Sequence, residues 1–184
     1  MLKNIIYIIF TLLIWLCPAI IYAQPNGPGG PPGNGPGIQT VAVPYVTAKI
    51  VQPIQINRLS DLEFGDIAAG TSSNGTVIID PNGNRTSTGG VVLMTVTTNY
   101  NAASFTVNGY PNAAFSIVLP SSIDIYSNSY SMLINNFTSN IGATVSVLNA
   151  LGQANINVGA TLNVDINQSP GLYSGSFDVT VAYY

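Results

Sequence analysis

The sequence predicts an all-β protein: an antiparallel β-sandwich of about ten strands. Three observations carry that expectation. From Ile38 onward apolar residues recur with period two, and no stretch shows the 3.6-residue period of an amphipathic helix. Val, Ile, Thr, Tyr and Phe dominate these runs. Turn-forming clusters separate them at short, regular intervals.

The elements follow in order. Lys3 supplies a positive charge, and Ile5 to Leu16 is a nearly unbroken apolar run. Pro18 ends it, and Ala23 offers a small residue at a cleavage position, which is the order of a secretory signal peptide over residues 1–23. The stretch from Ile5 to Ala23 also approaches bilayer-spanning length, so retention as an anchor is the competing reading. After cleavage no membrane span is expected. Residues 24–37 (QPNGPGGPPGNGPG) hold eleven Gly or Pro in fourteen and no side chain able to anchor a core, which predicts an extended, disordered spacer. The collagen triplet pattern within it breaks at Pro36.

Residues 38–184 are then a single sandwich domain. Strands are expected at Val46–Ile56, Leu62–Ile67, Thr76–Asp80, Val91–Thr98 and Ser104–Val107. Five more follow at Ala114–Leu119, Tyr130–Thr138, Ala143–Leu148, Ala154–Val164 and Tyr173–Tyr184. Asn74-Gly75, Pro81-Asn82-Gly83-Asn84, Gly89-Gly90, Asn108-Gly109-Tyr110-Pro111 and Ser169-Pro170-Gly171 supply the bends between strands. The last segment is the cleanest pattern. Gly171, Tyr173, Gly175, Phe177, Val179, Val181 and Tyr183 share one face, and small or polar residues occupy most of the other. A strand ending at the last residue either pairs within the chain or presents an edge to a partner.

Composition excludes several function classes. The chain has no His and one Cys, Cys17, so His-based acid–base chemistry, zinc clusters and intramolecular disulfides are ruled out. Four Lys or Arg stand against seven Asp or Glu, which is the wrong balance for neutralising nucleic-acid phosphates. Asp61, Glu63 and Asp66 fall within six residues, but they divide between two strand faces and lack the spacing of a Ca²⁺ loop. No base is evident for a Ser or Thr nucleophile, and Gly89-Gly90 has neither the helix nor the Lys of a phosphate loop. No cofactor, no metal site and no catalytic residue are expected. Asn74-Gly75-Thr76, Asn84-Arg85-Thr86, Asn136-Phe137-Thr138 and Asn167-Gln168-Ser169 fit the N-glycosylation pattern, which an Asn-rich chain produces by chance.

Six stretches carry a resemblance. They are Asp61-Leu62-Glu63-Phe64-Gly65, Thr88-Gly89-Gly90-Val91, Phe105 to Gly109, Phe115 to Ser122, Gly159 to Val164, and Gly171 to Phe177 running on to Tyr183. In order and spacing, roughly Ala48 to Tyr184 resembles the secreted bacterial family called domain of unknown function 4402. The resemblance implies an immunoglobulin-like, adhesin-type sandwich and no catalytic residues. The terminal strand is also similar to that of chaperone–usher pilin subunits. Tyr183 is penultimate, Val181, Val179 and Phe177 alternate before it, and Gly171 is the fourteenth residue from the end. The chain departs from most such pilins in having no disulfide and a Gly/Pro-rich N-terminal tail. This similarity implies an assembly edge at Gly171, Phe177, Val179, Val181 and Tyr183, with self-association or a periplasmic chaperone as partner. Ile38 to Val46, with Gln39, Val41, Val43 and Tyr45 alternating, is the candidate donor strand.

Two functions follow as expectations. The first is a secreted, non-enzymatic structural or adhesive protein of the bacterial surface, pilin-like or part of a matrix. The alternative is a monomeric carbohydrate- or peptide-binding module of the periplasm or surface. For a glycan ligand, Tyr100, Tyr110, Tyr126 and Tyr130 in or near loops are the candidate stacking residues.

Overall fold

The computed structural model describes residues 42–95, 99–142 and 145–184. The expected signal peptide and spacer, and parts of the strands expected at Val91–Thr98 and Ala143–Leu148, lie outside the described residues. The chain divides into two units at Val46 and Thr47. In the first, residues 42–46 form no regular secondary structure. The second, Thr47–Tyr184, is an all-β sandwich with twelve strands among the described residues, all paired antiparallel.

In chain order the strands are β1 (Gln55–Ser60), β2 (Ile67–Ala68), β3 (Gly75–Ile79), β4 (Arg85–Gly89), β5 (Val92–Leu93) and β6 (Ala103–Asn108). Then come β7 (Ala114–Val118), β8 (Ser122–Ser127), β9 (Tyr130–Ser139), β10 (Val145–Val147), β11 (Gln153–Val164) and β12 (Thr180–Tyr183). Seven of them form one sheet around β11. β6 pairs with the first half of β11 and β3 with the second half, so the two lie end to end along one side of it. β1 flanks β6, and β4 flanks β3. β9 pairs along the other side of β11, with β8 beyond it.

The alternation in β11 explains why this strand is central. Ile156, Val158, Ala160, Leu162 and Val164 point to one face and are all buried. Their partners continue that face: Phe105 lies opposite Ile156, Val77 and Ile134 opposite Leu162. Two small sheets cover it. β10-β7-β12 closes a cluster of Phe105, Val107, Phe115, Ile117, Leu148 and Ile156. β2-β5 brings Ile67 and Leu93 onto a second cluster around Val77, Met132, Ile134 and Leu162. Leu62 and Phe137 pack against both clusters and join them into one core.

Several expected strands change. The strand placed at Val46–Ile56 begins only at Gln55, because β6 ends opposite it at Asn108 and residues 47–54 run past with no ladder partner among the described residues. Leu62–Ile67 is broken by Gly65, whose φ of 71° turns the chain, leaving a lone bridge at Glu63 and the two residues of β2. Tyr173–Tyr184 is not one strand. Ser174 bridges Tyr126 on β8, the chain then crosses over, and only Thr180–Tyr183 pairs with β7 in the smaller sheet. β4 and β8 are not among the expected strands: Arg85–Gly89 has no apolar residue, and Ser122–Ser127 has only two isoleucines, parted by Asp124 and flanked by hydroxyl residues.

Candidate functional site

Among the described residues, the outer face of the large sheet presents an extended surface opposite the core. Its composition follows from register. Residues alternating with the buried Phe105 and Val107 are Ser104, Thr106 and Asn108, and those alternating with Ile156 and Val158 are Asn155 and Asn157. Antiparallel pairing aligns them into rungs: Gln55, Asn108 and Gln153 form one, and Asn57, Thr106 and Asn155 the next. Gln153 Nε2 donates to Asn108 Oδ1 and Thr106 Oγ1 to Asn155 Oδ1, both at 3.3 Å. Towards the other end of β11, Thr88, Thr76 and Asn163 make a further rung. The Thr76 and Thr88 hydroxyls are 2.7 Å apart. Every side chain in these rungs is an uncharged amide or hydroxyl.

At that end the face dips into an open cleft of about 310 Å³, lined by Thr76, Thr88, Asn163, Asn74 and Asp165 among others. Its polar groups are held by their neighbours. Asn74 Oδ1 accepts from the Ile166 backbone at 2.7 Å, and Asn74 Nδ2 donates to Asp165 Oδ1 at 3.3 Å. Asn163 Nδ2 donates to the Leu133 carbonyl at 3.1 Å and to Asn135 Oδ1 at 3.2 Å. A second, smaller hollow of about 180 Å³ opens beside Leu119, Phe137 and Gly142 and is mainly apolar.

The residues expected at the terminal assembly edge occupy two environments. Phe177, Val179, Val181 and Tyr183 are half-buried and pack on the core cluster beneath β10-β7-β12. Phe177 stands edge-on to Phe105, with centroids 6.5 Å apart, and 5.0 Å from the ring of Phe137. Tyr183 Oη accepts from the Tyr110 backbone N–H at 2.6 Å and donates to the Gln52 carbonyl at 2.7 Å. Gly171 lies apart from them, exposed, beside Ser127. β12 pairs with β7 on one side and, among the described residues, is the last strand of its sheet on the other. Of the candidate donor strand, Ile38 to Val41 lies outside the described residues, and Val43, Tyr45 and Val46 are exposed.

The tyrosines named for glycan stacking are dispersed. Lys49 Nζ sits 4.9 Å from the ring centre of Tyr110 and donates to its hydroxyl at 2.5 Å. Arg85 lies 4.2 Å over Tyr100, while its guanidinium donates to the carbonyls of Phe64 and Met94. Tyr126 and Tyr130 are exposed on the β8–β9 hairpin, at positions of opposite parity across it. Asp61 pairs with Arg58 at 2.6 Å, and Glu63 exchanges backbone hydrogen bonds with Asn101.

Sequence reasoning passed over the cleft and the rungs. The signal in reach was that the polar partner in the β6 and β11 alternation is always uncharged. Asn74 and Asp165, 91 residues apart, meet only because β3 pairs with β11. No curated protein and no solved structure matches the chain. A family match covers residues 54–183, from the residue before β1 to Tyr183 at the end of β12. The chain belongs to the family described as domain of unknown function (DUF4402).

Proposed function

We propose that the protein is a secreted, non-enzymatic structural or adhesive component of a bacterial surface, working as a pilin-like or matrix subunit. The observation that carries this reading is the open sheet face. Its rungs are in register and built from amides and hydroxyls that between them donate and accept hydrogen bonds, with Ile78, Leu133 and Asp124 standing among them. Such a surface suits extended contact with another molecule rather than chemistry on a small one. The charged leader and apolar run support export. The edge position of β12 supports a role in assembly for Phe177, Val179, Val181 and Tyr183, with Gly171 marking where that segment begins.

The test compares the chain recovered from secretory expression with one beginning at Ala48, by size-exclusion chromatography and electron microscopy. The reading expects oligomers or fibres from the first and monomers from the second. A second reading, the monomeric carbohydrate- or peptide-binding module, is favoured by one observation: β12 already pairs with β7 of its own chain. Equal, stable monomers from both samples would select it. Adhesion is tested separately, by comparing surface attachment of cells with and without the protein.

A further inference from the structure

We propose that the cleft where β3, β4 and the end of β11 meet binds a unit of a neutral polysaccharide. This rests on the adhesive reading and names the ligand class for it.

The argument is one of chemical matching. A sugar hydroxyl both donates and accepts, and so do the hydroxyls of Thr76 and Thr88 that line the cleft, while Asn163, whose Nδ2 is spent on Leu133 and Asn135, offers its Oδ1 as an acceptor. Asp165 adds a carboxylate, a pure acceptor suited to neighbouring hydroxyls. One of its oxygens is engaged by Asn74, and the other accepts no hydrogen bond among the described residues. The bonds that fix Asn74 and Asn163 from behind hold the cleft in shape before any ligand arrives, which lowers the entropy lost on binding. The volume of about 310 Å³ admits a sugar unit while leaving its ends open to solvent.

The same residues disfavour other ligands. One carboxylate falls short of the oxygen-rich cage that Ca²⁺ requires. Among the described residues no Lys or Arg lines the cleft, so a phosphate or sulfate would meet Asp165 with nothing to balance it. An apolar ligand would strip water from amides and hydroxyls and give no bonds in return. Beyond the cleft the chemistry resumes, because Asn157 and Asn155 lie further along the same side of β11. A polymer leaving the cleft along that strand crosses buried Thr161, Gly159 and the neighbouring Ile78 before it reaches those amides.

The experiment is ¹H–¹⁵N NMR titration of the chain recovered from secretory expression. The probes are maltohexaose, cellohexaose, xylohexaose and mannohexaose, with polygalacturonate and dextran sulfate as charged counterparts. At least one neutral probe is expected to shift the amides of residues 74–76, Thr88 and 163–165, and neither charged probe should. Asn163→Ala and Thr88→Val should each weaken that binding about tenfold, as loss of hydrogen bonds to a ligand does. Thr88→Ser should restore most of it. Absence of binding by all four neutral probes overturns the proposal. So do shifts centred on Tyr126 and Tyr130, or variants that bind as tightly as the parent. Cells that attach through the protein while no neutral probe binds would remove this ligand and leave the adhesive reading intact. Binding in the cleft without any effect on attachment would do the reverse.

Discussion

Tyr183 shows how much a single side chain near the end of a chain can tie down. Its ring belongs to the core cluster, and its hydroxyl links the loop after β6 to the segment before β1. Gly109 is required beside it: a Cβ there would sit 2.5 Å from that hydroxyl and 2.9 Å from Leu148. Tyr183→Phe keeps the ring and loses both hydrogen bonds, so urea denaturation should show a loss of about 1–3 kcal/mol. Phe177 is only half-buried but lies against two aromatic rings, and Phe177→Ala should cost about 3 kcal/mol, the lower end for such truncations. Asp80 is a different case. Hydrogen bonds from the side chain and then the backbone of Asn84, with smaller ones from Asn82, hold its carboxyl below the usual aspartate range. The stability this contributes is complete above the unfolded value of ~3.9 and is lost as pH falls through the lower folded value. Asp80→Ala should therefore melt below the parent at neutral pH, and the gap should close as the pH is taken down past ~3.9. A gap that stays constant with pH would mean the carboxylate is not the cause.

At the scale of elements, the β3–β4 hairpin is both the wall of the cleft and a point of backbone constraint. Gly89, at φ of 66°, sits opposite Gly75 and against the Asn74 carbonyl with no space for a side chain. Gly89→Ala adds the left-handed penalty to a clash with backbone, and a loss of about 1–3 kcal/mol is expected in thermal melts. The corresponding change at Gly83 isolates the two effects. Gly83 also has positive φ, 82°, but a Cβ there meets nothing within 4 Å, so Gly83→Ala should cost less. The terminal segment is the other instructive element. It touches β8 through Ser174 and ends on β7, so it straps the rim of one sheet to the other.

The whole molecule rests on its apolar interior. Its one ion pair among the described residues joins Arg58 and Asp61, which are 68% and 59% exposed, and such pairs contribute little. With a single cysteine in the chain, no internal disulfide can form. The melting temperature should accordingly be unchanged by reducing agent and move by less than about 2 °C between low and high salt. A large shift with either would mean that something other than the core holds the sandwich together. The same low charge leaves little electrostatic self-repulsion between copies.

Period-two alternation is a local property, and what depended on it was legible in the amino-acid sequence. The all-β class, the buried row of β11 and the inward set Phe177, Val179, Val181 and Tyr183 could all be read from residue spacing. Pairing is not local. Whether an apolar run becomes a strand depends on a neighbour offering its N–H and C=O groups, which is why residues 47–54 stay outside a sheet while the apolar-free β4 joins one. A turn residue can also override a good pattern, as Gly65 does between Leu62 and Ile67. The cleft belongs wholly to this second category. Asn74 and Thr76, Thr88, and Asn163 and Asp165 come from three separate stretches of chain, and only the ladders joining β4, β3 and β11 bring them together, because hydrogen bonding between distant strands sets which side chains become neighbours.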